Sequence, residues 1–311
     1  MFTVLRSSTL RTRQNAEMRA ADRRLLADHA RLAQGIGLLI SQAARAGVVP
    51  NTRAARDGLS QATWERVLRP YYVGQGEPLR GMQAQSPYAA VLVAGVERAV
   101  KLQVDWHTAM LRRYIRDERV LAWLTGPRPL PSPVRETIQD SFAQWLDPRG
   151  FKLADRIQRM AVEIKARMSR FFDYHIGKGT PGPTMAQAAA DALTTGERGA
   201  RPYGPQAAYP ARRLLRNELF VAGGYAMQNL SQVNPIVRGI QWVLSPLHPK
   251  TDRCDVHAAG GPDGDGVYSF ELLPAHPDHP NCLCGLFPVA VARPAAITAA
   301  LLAGIEQGDA Y

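Results

Sequence analysis

Residues 254–284 have the sequence CDVHAAGGPDGDGVYSFELLPAHPDHPNCLC, which holds every cysteine of the 311-residue chain. Cys254 and His257 have C-x2-H spacing, and Cys282 and Cys284 have C-x-C spacing. Two ligands at such spacing on a turn can face one ion, and a second pair can complete a tetrahedron. Thiolate and imidazole ligands favour zinc among the common divalent metals. The stretch therefore predicts one zinc ion, with Cys254, His257, Cys282 and Cys284 as first-choice ligands and His279 as the next candidate.

Five candidate ligands for four positions leave alternatives open. If His279 binds the metal, one cysteine, for example Cys284, is expected to be a buried thiol. A disulfide framework is not expected, because the cysteine count is odd and the sequence has no signal-peptide pattern. Ordinary buried cysteines beside surface histidines are the remaining interpretation. Four protein ligands leave no open position for water or substrate, so this zinc is expected to be structural.

The sequence around these ligands is irregular. Residues 260–266 (GGPDGDG) predict a turn, and residues 267–272 predict a strand, which places a β-hairpin between the two halves of a zinc knuckle. Asp263 and Asp265 lack the spacing of an EF-hand calcium loop and fit turn chemistry instead. Residues 234–290 are bounded by Pro and Gly, and we expect them to depend on the metal for their fold.

Helical periodicity dominates the rest of the chain. Apolar residues recur at three-, four- and seven-residue steps over residues 17–47. Ser86-Pro87 is a capping residue followed by proline, which predicts the start of a long helix. Its apolar stripe consists of Val93, Val96, Val100, Val104, Leu111 and Ile115. Further helices are predicted over residues 134–146, 151–172 and 211–230, with a short Ala-rich helix between the loops 177–183 and 196–210 and a strand over 236–244.

These patterns predict a mainly α fold. A helical N-terminal half is followed by an α+β C-terminal domain with a zinc-knuckle and β-hairpin module. The stretch GPRPLPSP cannot be helical throughout, because proline removes a backbone donor and restricts the residue before it. The expected regions are residues 1–125 as a helical docking region, 126–133 as a Pro-rich hinge, 134–233 as the helical part of the second domain, 234–290 as the zinc module and 291–311 as a C-terminal helix or tail.

The chain is basic, with 38 Lys and Arg against 27 Asp and Glu and a formal net charge of +11. Such a charge is compatible with a polyanionic partner, and the alternative is that most arginines lie on solvated helix faces of an Arg- and Ala-rich chain. One face of the predicted helix 151–172 could follow DNA phosphates without reading base sequence. A solvated face partly neutralised by Glu163 is the alternative. No apolar run reaches the ~20 residues of a membrane span, so no membrane partner is expected. The candidate DNA contacts are Lys152, Arg156, Arg159, Arg167 and Arg170.

Four segments of the C-terminal half resemble the phage Mu F-like minor head protein family of tailed bacteriophages. They are residues 145–157 (WLDPRGFKLADRI), residues 212–218 (RRLLRNE), Trp242 through Cys254-Asp255, and residues 279–284 (HPNCLC). The most specific element is the His-Pro-x-Cys-x-Cys ending after Cys-Asp. The chain departs from the family pattern at His257, where many relatives carry cysteine, and at Asn217, where they have threonine in Arg-Thr-Glu.

The resemblance implies a structural, low-copy head protein without catalytic residues. Such a protein is made beside the portal and enters the head during assembly, so we expect host cytoplasm first and the virion head afterwards. The resemblance further implies several copies per virion and contact with the portal protein, the major capsid protein or both. Non-specific contact with packaged DNA is compatible with the net charge of +11.

Two other functions compete with this expectation. One is an enzyme, either a zinc-dependent nuclease or a toxin-like nucleotide-transferring domain, for which His248, His276 and Asp278 are the available polar residues. Prolines beside these residues favour rigid turns, and a nuclease needs an open metal position or a second metal. The other is a zinc-containing DNA-binding regulator, which would present a recognition helix with polar side chains near the zinc ligands.

Overall fold

The structure is a computed structural model that describes residues 3–4, 8–45, 53–73, 86–120, 150–194, 209–245, 248, 251–279, 282, 284–290 and 294–307. The helices are α1 (Ser8–Arg45), α2 (Arg53–Thr63), a π-helical turn (Trp64–Leu68), α3 (Arg69–Tyr72), α4 (Pro87–Tyr114), α5 (Leu153–Gly177), α6 (Gly182–Thr194), α7 (Tyr209–Gln232), α8 (Arg253–Ala258) and α9 (Pro294–Gln307). The strands are β1 (Thr3–Val4), β2 (Val237–Val243), β3 (Val267–Tyr268) and β4 (Gly285–Ala290). A mainly helical chain with an α+β C-terminal part is thereby confirmed.

Contacts divide the chain into two compact units, each built from separate stretches. The first, here called the sheet unit, comprises Met1–Glu17, Val96–Ala143 and Asn217–Tyr311. The second, the helical unit, comprises Met18–Gly95 and Gln144–Arg216. The consecutive regions expected from the sequence stay a prediction. The hinge at 126–133, the helix at 134–146 and residues 196–208 of the loop predicted at 196–210 lie outside the described residues, while residues 209–210 begin α7.

The start of α4 follows the capping chemistry predicted from the sequence. The backbone N–H of Ala89 donates to the Ser86 hydroxyl at 3.1 Å, and Pro87 occupies the first helical position, where a missing N–H costs nothing. Of the predicted stripe, Val96, Val100, Leu111 and Ile115 are buried, while Val93 and Val104 are half-buried.

The helical unit is held by a buried aromatic and histidine cluster. His29 Nδ1 lies 3.1 Å from the carbonyl oxygen of Leu193, and its Nε2 lies 2.8 Å from the Tyr72 hydroxyl. Tyr72 packs edge-on against Tyr71, with ring centroids 4.9 Å apart. Tyr88 donates its hydroxyl to the carbonyl of Ala211 at 2.8 Å. These bonds satisfy polar groups that burial would otherwise penalise, and they connect α1, α3, α4, α6 and α7.

The sheet unit contains one antiparallel sheet with strand order β1-β4-β2-β3. The strand predicted at 236–244 is observed as β2, which pairs along its length with β4. The strand predicted at 267–272 is shorter: β3 covers only Val267–Tyr268 and pairs with β2 through Ile240 and Tyr268. Residues 269–272 form turns instead, because the chain leaves the sheet after Tyr268.

An apolar cluster packs around β2 in the sheet unit, and the three cysteines belong to it. The fully enclosed members are Met227, Ile240, Trp242, Cys254, Tyr268, Cys282, Cys284 and Leu286. Trp242 contributes the largest buried side chain, at 1% exposure. Burying such a side chain stabilises a fold by about 2–3 kcal/mol. The C-terminal region therefore has a core of its own beside the predicted metal site.

Candidate metal centre

Cys254 is fixed by the N-terminus of α8. Asp252 is the N-cap, and its Oδ1 accepts the backbone N–H of Cys254 at 2.8 Å. In return, Oδ2 of Asp255 accepts the backbone N–H of Asp252 at 2.8 Å, which completes a capping box. Because Cys254 lies in the first turn of this short helix, its side chain points into the core and has 0% exposure.

Cys282 and Cys284 come from the segment that leads into β4 and meet Cys254 in the core. The Sγ atoms of the three cysteines all lie within 4.8 Å of one another. Cys254 Sγ and Cys282 Sγ are 3.6 Å apart, well beyond the ~2.05 Å of a disulfide, and all three cysteines are free. Two sulfurs bound tetrahedrally at ~2.3 Å would be about 3.8 Å apart. The observed separation therefore fits a shared metal.

His279 lies at the edge of the thiol cluster. Its Nε2 is 3.3 Å from Cys254 Sγ, close to the roughly 3.5 Å expected between sulfur and imidazole nitrogen on one tetrahedral zinc. The same Nε2 is 3.3 Å from Oδ2 of Asp252. Asp252, Cys254 and His279 form a second group of possible metal ligands within 4.8 Å of one another. His279, the next candidate in the sequence, thus lies beside Cys254, one of the three clustered thiols.

His257 is placed differently from the other first-choice ligands. Within the described part of the chain, it belongs to none of the groups whose ligand atoms lie within 4.8 Å of one another. Its Nε2 lies 3.3 Å from Oδ1 of Asp278, and its ring packs against Trp242 with centroids 4.8 Å apart. The structure thus brings together Cys254, Cys282 and Cys284 of the first-choice set. His257 contacts Asp278 instead and is not grouped with these thiols.

Burial and the hydrogen bond between Cys282 and Cys284 shift the pKa values of the three thiols in different directions. Burial raises the pKa of Cys254 to about 12. The hydrogen bond to Cys284, followed by burial, raises the pKa of Cys282. The same hydrogen bond, donated by Cys282, lowers the pKa of Cys284 to about 5. Cys284 is therefore the favoured thiolate, and a bound cation would displace the two remaining thiol protons, since zinc binds the thiolate form.

Two further histidines hold the segments that surround the thiols. Nε2 of His276 donates to the carbonyl of Cys284 at 2.9 Å, and burial lowers the pKa of His276 to about 4. His248 Nε2 lies 2.9 Å from Oδ2 of Asp255, and this hydrogen bond raises the pKa of His248. The sequence does not predict these supporting roles of His248 and His276. The D-x-x-D spacing of Asp252 and Asp255 was the available indication, because it resembles a capping box.

The arrangement can hold one cation with three buried thiols and a fourth ligand. Asp252 and His279, which are grouped with Cys254, are the available candidates. Three thiols and an imidazole are a zinc-type donor set, since soft thiolates select zinc or Cu(I) over magnesium or calcium. Because the ligands come from two segments separated by the 259–278 region, a metal here would connect them. That is the chemistry of a cross-link within the fold.

The predicted basic stripe on α5 is only partly exposed. Lys152, Arg159 and Arg170 are exposed, and we call them the exposed basic stripe. Arg167 pairs with Glu163 at 2.6 Å, as the solvated-face alternative anticipated. Arg156 differs from the expectation: it is 5% exposed and donates to the carbonyl of Phe151. Its position on the buried face of α5 removes it from the set of possible phosphate contacts.

Comparison with known proteins identifies no relative. No family model, no curated protein and no solved structure matches this chain. Among the helices that the structure describes, none is both long enough and apolar enough to cross a membrane.

Proposed function

We propose that this chain is a structural minor head protein of a tailed bacteriophage, acting in head assembly at or near the portal vertex. The observation that carries the proposal is the convergence of the most family-specific residues. Cys254 lies 25 residues before His279 and 28 before Cys282. Its sulfur is nevertheless within 4.8 Å of the sulfurs of Cys282 and Cys284 and 3.3 Å from Nε2 of His279. A motif whose members meet in space is a stronger basis for the resemblance than the same letters scattered over the fold.

A second segment of the resemblance supports the same assignment. Residues 212–218 lie on α7, and Glu218 at its end has 0% exposure. A buried carboxylate is retained only where it has partners, because an isolated one is costly to desolvate. The departure at Asn217 leaves Glu218 in this buried position, with Nδ2 of Asn217 3.4 Å from its Oε1.

We further propose that the cation is a single structural zinc ion. When bound, zinc supplies a cross-link between α8 and the segment that leads into β4. The protein's own residues supply everything else: the capping box orients Cys254, His276 holds the Cys284 carbonyl, and Trp242 excludes water. Supporting contacts of this kind suit a structural metal ion that stays bound in the particle outside the cell.

Contact with packaged DNA is a further part of the proposal. The net charge of +11 favours a polyanion, and the exposed basic stripe presents three cations along α5. Cations on a helix face contact phosphates irrespective of base sequence, which suits a head component that meets the whole genome. We place the protein in the host cytoplasm during assembly and in the head of the finished virion, in several copies.

Co-expression tests the proposed partners. The chain is produced with the portal protein alone, with the major capsid protein alone, and with both, and the particles are separated by sedimentation. We expect it to sediment with portal-containing assemblies at a fixed low ratio. An unrelated soluble protein of similar positive charge serves as the control for non-specific adsorption. Recovery only as free protein in all three combinations would contradict a role in head assembly.

A further inference from the structure

Asp278 is a nearly buried carboxylate that contacts α8 twice. Its side chain is 7% exposed, and Oδ1 lies 3.3 Å from Nε2 of His257 and 3.2 Å from a guanidinium nitrogen of Arg253. Burying a carboxylate is costly unless it is paired and hydrogen-bonded. Both partners belong to α8, so Asp278 fastens its own segment, residues 276–279, to that helix.

The contact between His257 and Asp278 lies next to the residues proposed to bind the metal. On the helix, His257 follows Cys254 by one turn, and in the other segment Asp278 is the immediate neighbour of His279. Nε2 of His279 lies 3.3 Å from Cys254 Sγ. The contact between His257 and Asp278 therefore joins the same two segments as the candidate metal bonds, one residue away from them.

The remaining contacts of His257 involve its ring and its backbone. Its ring packs against Trp242 at 4.8 Å between centroids, and its backbone carbonyl accepts the Tyr268 hydroxyl at 2.8 Å. If His257 turned to bind a metal, Asp278 would lose this partner, and of its two described partners only Arg253 would remain, whose side chain is 78% exposed. An exposed partner compensates a buried charge poorly, because water screens it.

We propose that Cys254, His279, Cys282 and Cys284 hold the zinc ion and that His257 is a positioning residue, which sets the His279 segment through Asp278. This inference rests on the zinc site advanced under the proposed function. It reverses the order of the two histidines given by the sequence. Supporting residues of this kind commonly change metal affinity 10–100-fold when removed.

Substitution of each histidine by cysteine, followed by cobalt(II) loading of the full chain, separates the two roles. His279→Cys adds a fourth thiolate to the metal, so the thiolate-to-cobalt absorbance per bound ion is expected to rise by about a third. His257→Cys is expected to leave the absorbance and the positions of the cobalt bands as in the unmodified chain. His175→Cys, in the helical unit, is the control for an added thiol outside the site.

Zinc affinity measured by competition with a chelator gives the second readout. His257→Ala is expected to bind one zinc with 10–100-fold lower affinity. His257→Gln is expected to recover most of that loss, because its amide N–H can still donate to Asp278. Both variants keep all four proposed metal ligands, so a change in zinc affinity does not arise from the loss of a ligand.

The possible outcomes distinguish this inference from the proposed zinc site. If His257→Cys raises the cobalt absorbance and His279→Cys does not, His257 is the ligand and the inference is overturned while zinc binding stands. If neither cysteine changes the spectrum, a different group such as Asp252 completes the site, and the inference is again overturned. If the unmodified chain binds no cobalt or zinc, the zinc site itself is refuted, and the assignment of its ligands falls with it.

Discussion

Replacing Cys254 by serine tests whether a metal supports the sheet unit. Cys254 has 0% exposure and contributes one of three clustered thiols, so serine removes a ligand and buries a hydroxyl. At free zinc 100–1,000 times the dissociation constant, binding stabilises the folded state by about 2.7–4.1 kcal/mol. An unsatisfied buried hydroxyl adds a cost of about 1–3 kcal/mol. We expect a total loss of about 4–7 kcal/mol, a large part of the ~5–15 kcal/mol that holds a typical domain together.

Hydrogen exchange followed by mass spectrometry, with and without a zinc chelator, measures this loss separately in each unit. In the unmodified chain, chelation should speed exchange in β2, α8 and β4 and leave α2 and α5 of the helical unit unchanged. In Cys254→Ser, exchange should be fast in both conditions. Ile240→Val is the matched control, because it trims an apolar member of the same cluster; it should cost about 0.5–1.5 kcal/mol and keep the chelator response. A chelator response of full size in Cys254→Ser would refute the reasoning.

Three further predictions concern other parts of the chain. Burial lowers the pKa of His107 to about 3, so the unfolded chain takes up a proton below pH ~6.5 that the folded chain refuses. Stability should therefore decrease as the pH is lowered through this window. Between pH 7 and pH 5, the free energy of unfolding measured in urea should drop by about 2 kcal/mol less in His107→Gln than in the unmodified chain, and equal drops would contradict the assignment. Gly261→Ala should destabilise by about 2–4 kcal/mol, because φ is +82° and a Cβ would lie 2.2 Å from the Val267 carbonyl oxygen. Gly58→Ala in α2 meets no atom within 4 Å and should stabilise by about 0.5–1 kcal/mol in the same thermal melts, so opposite signs are the test. Neutralising the exposed basic stripe should weaken binding equally on unrelated DNA sequences and reduce the salt slope of log K by about 0.9 for each lost phosphate contact, whereas unchanged low-salt binding would leave the stripe a solvated face.

The helices and the central strand were predictable because their patterns are local. The stripe of α4, the apolar face of α7 and the alternation in β2 each reflect one side facing the core. β4 was not predicted, since it carries Pro288 and a proline within a run argues against a central strand. In the structure Pro288 pairs with Ile240 of β2, while β1 reaches only Val289 and Ala290. The sequence does not show that β1 ends before it reaches Pro288, which is why proline is tolerated in β4.

The thiol cluster was predictable from spacing, and the choice between the histidines was not. Three clustered cysteines indicate metal wherever the chain folds. His257 and His279 both have acceptable spacing from the cysteines. Their roles depend on the tertiary contact between His257 and Asp278, which lie 21 residues apart in the sequence. Arg156 could have been placed correctly. It lies three residues after Leu153 and four before Met160, which are both buried, so helical periodicity assigns it to the core face.

Quantitative mass spectrometry of purified phage particles and of isolated portal vertices tests the central claim most directly. The measurement gives the number of copies of this chain per particle relative to the portal protein. We predict a fixed, low ratio that is retained when the portal vertex is isolated. Absence from purified particles would contradict the assignment to the head and would bring forward the enzyme and regulator alternatives.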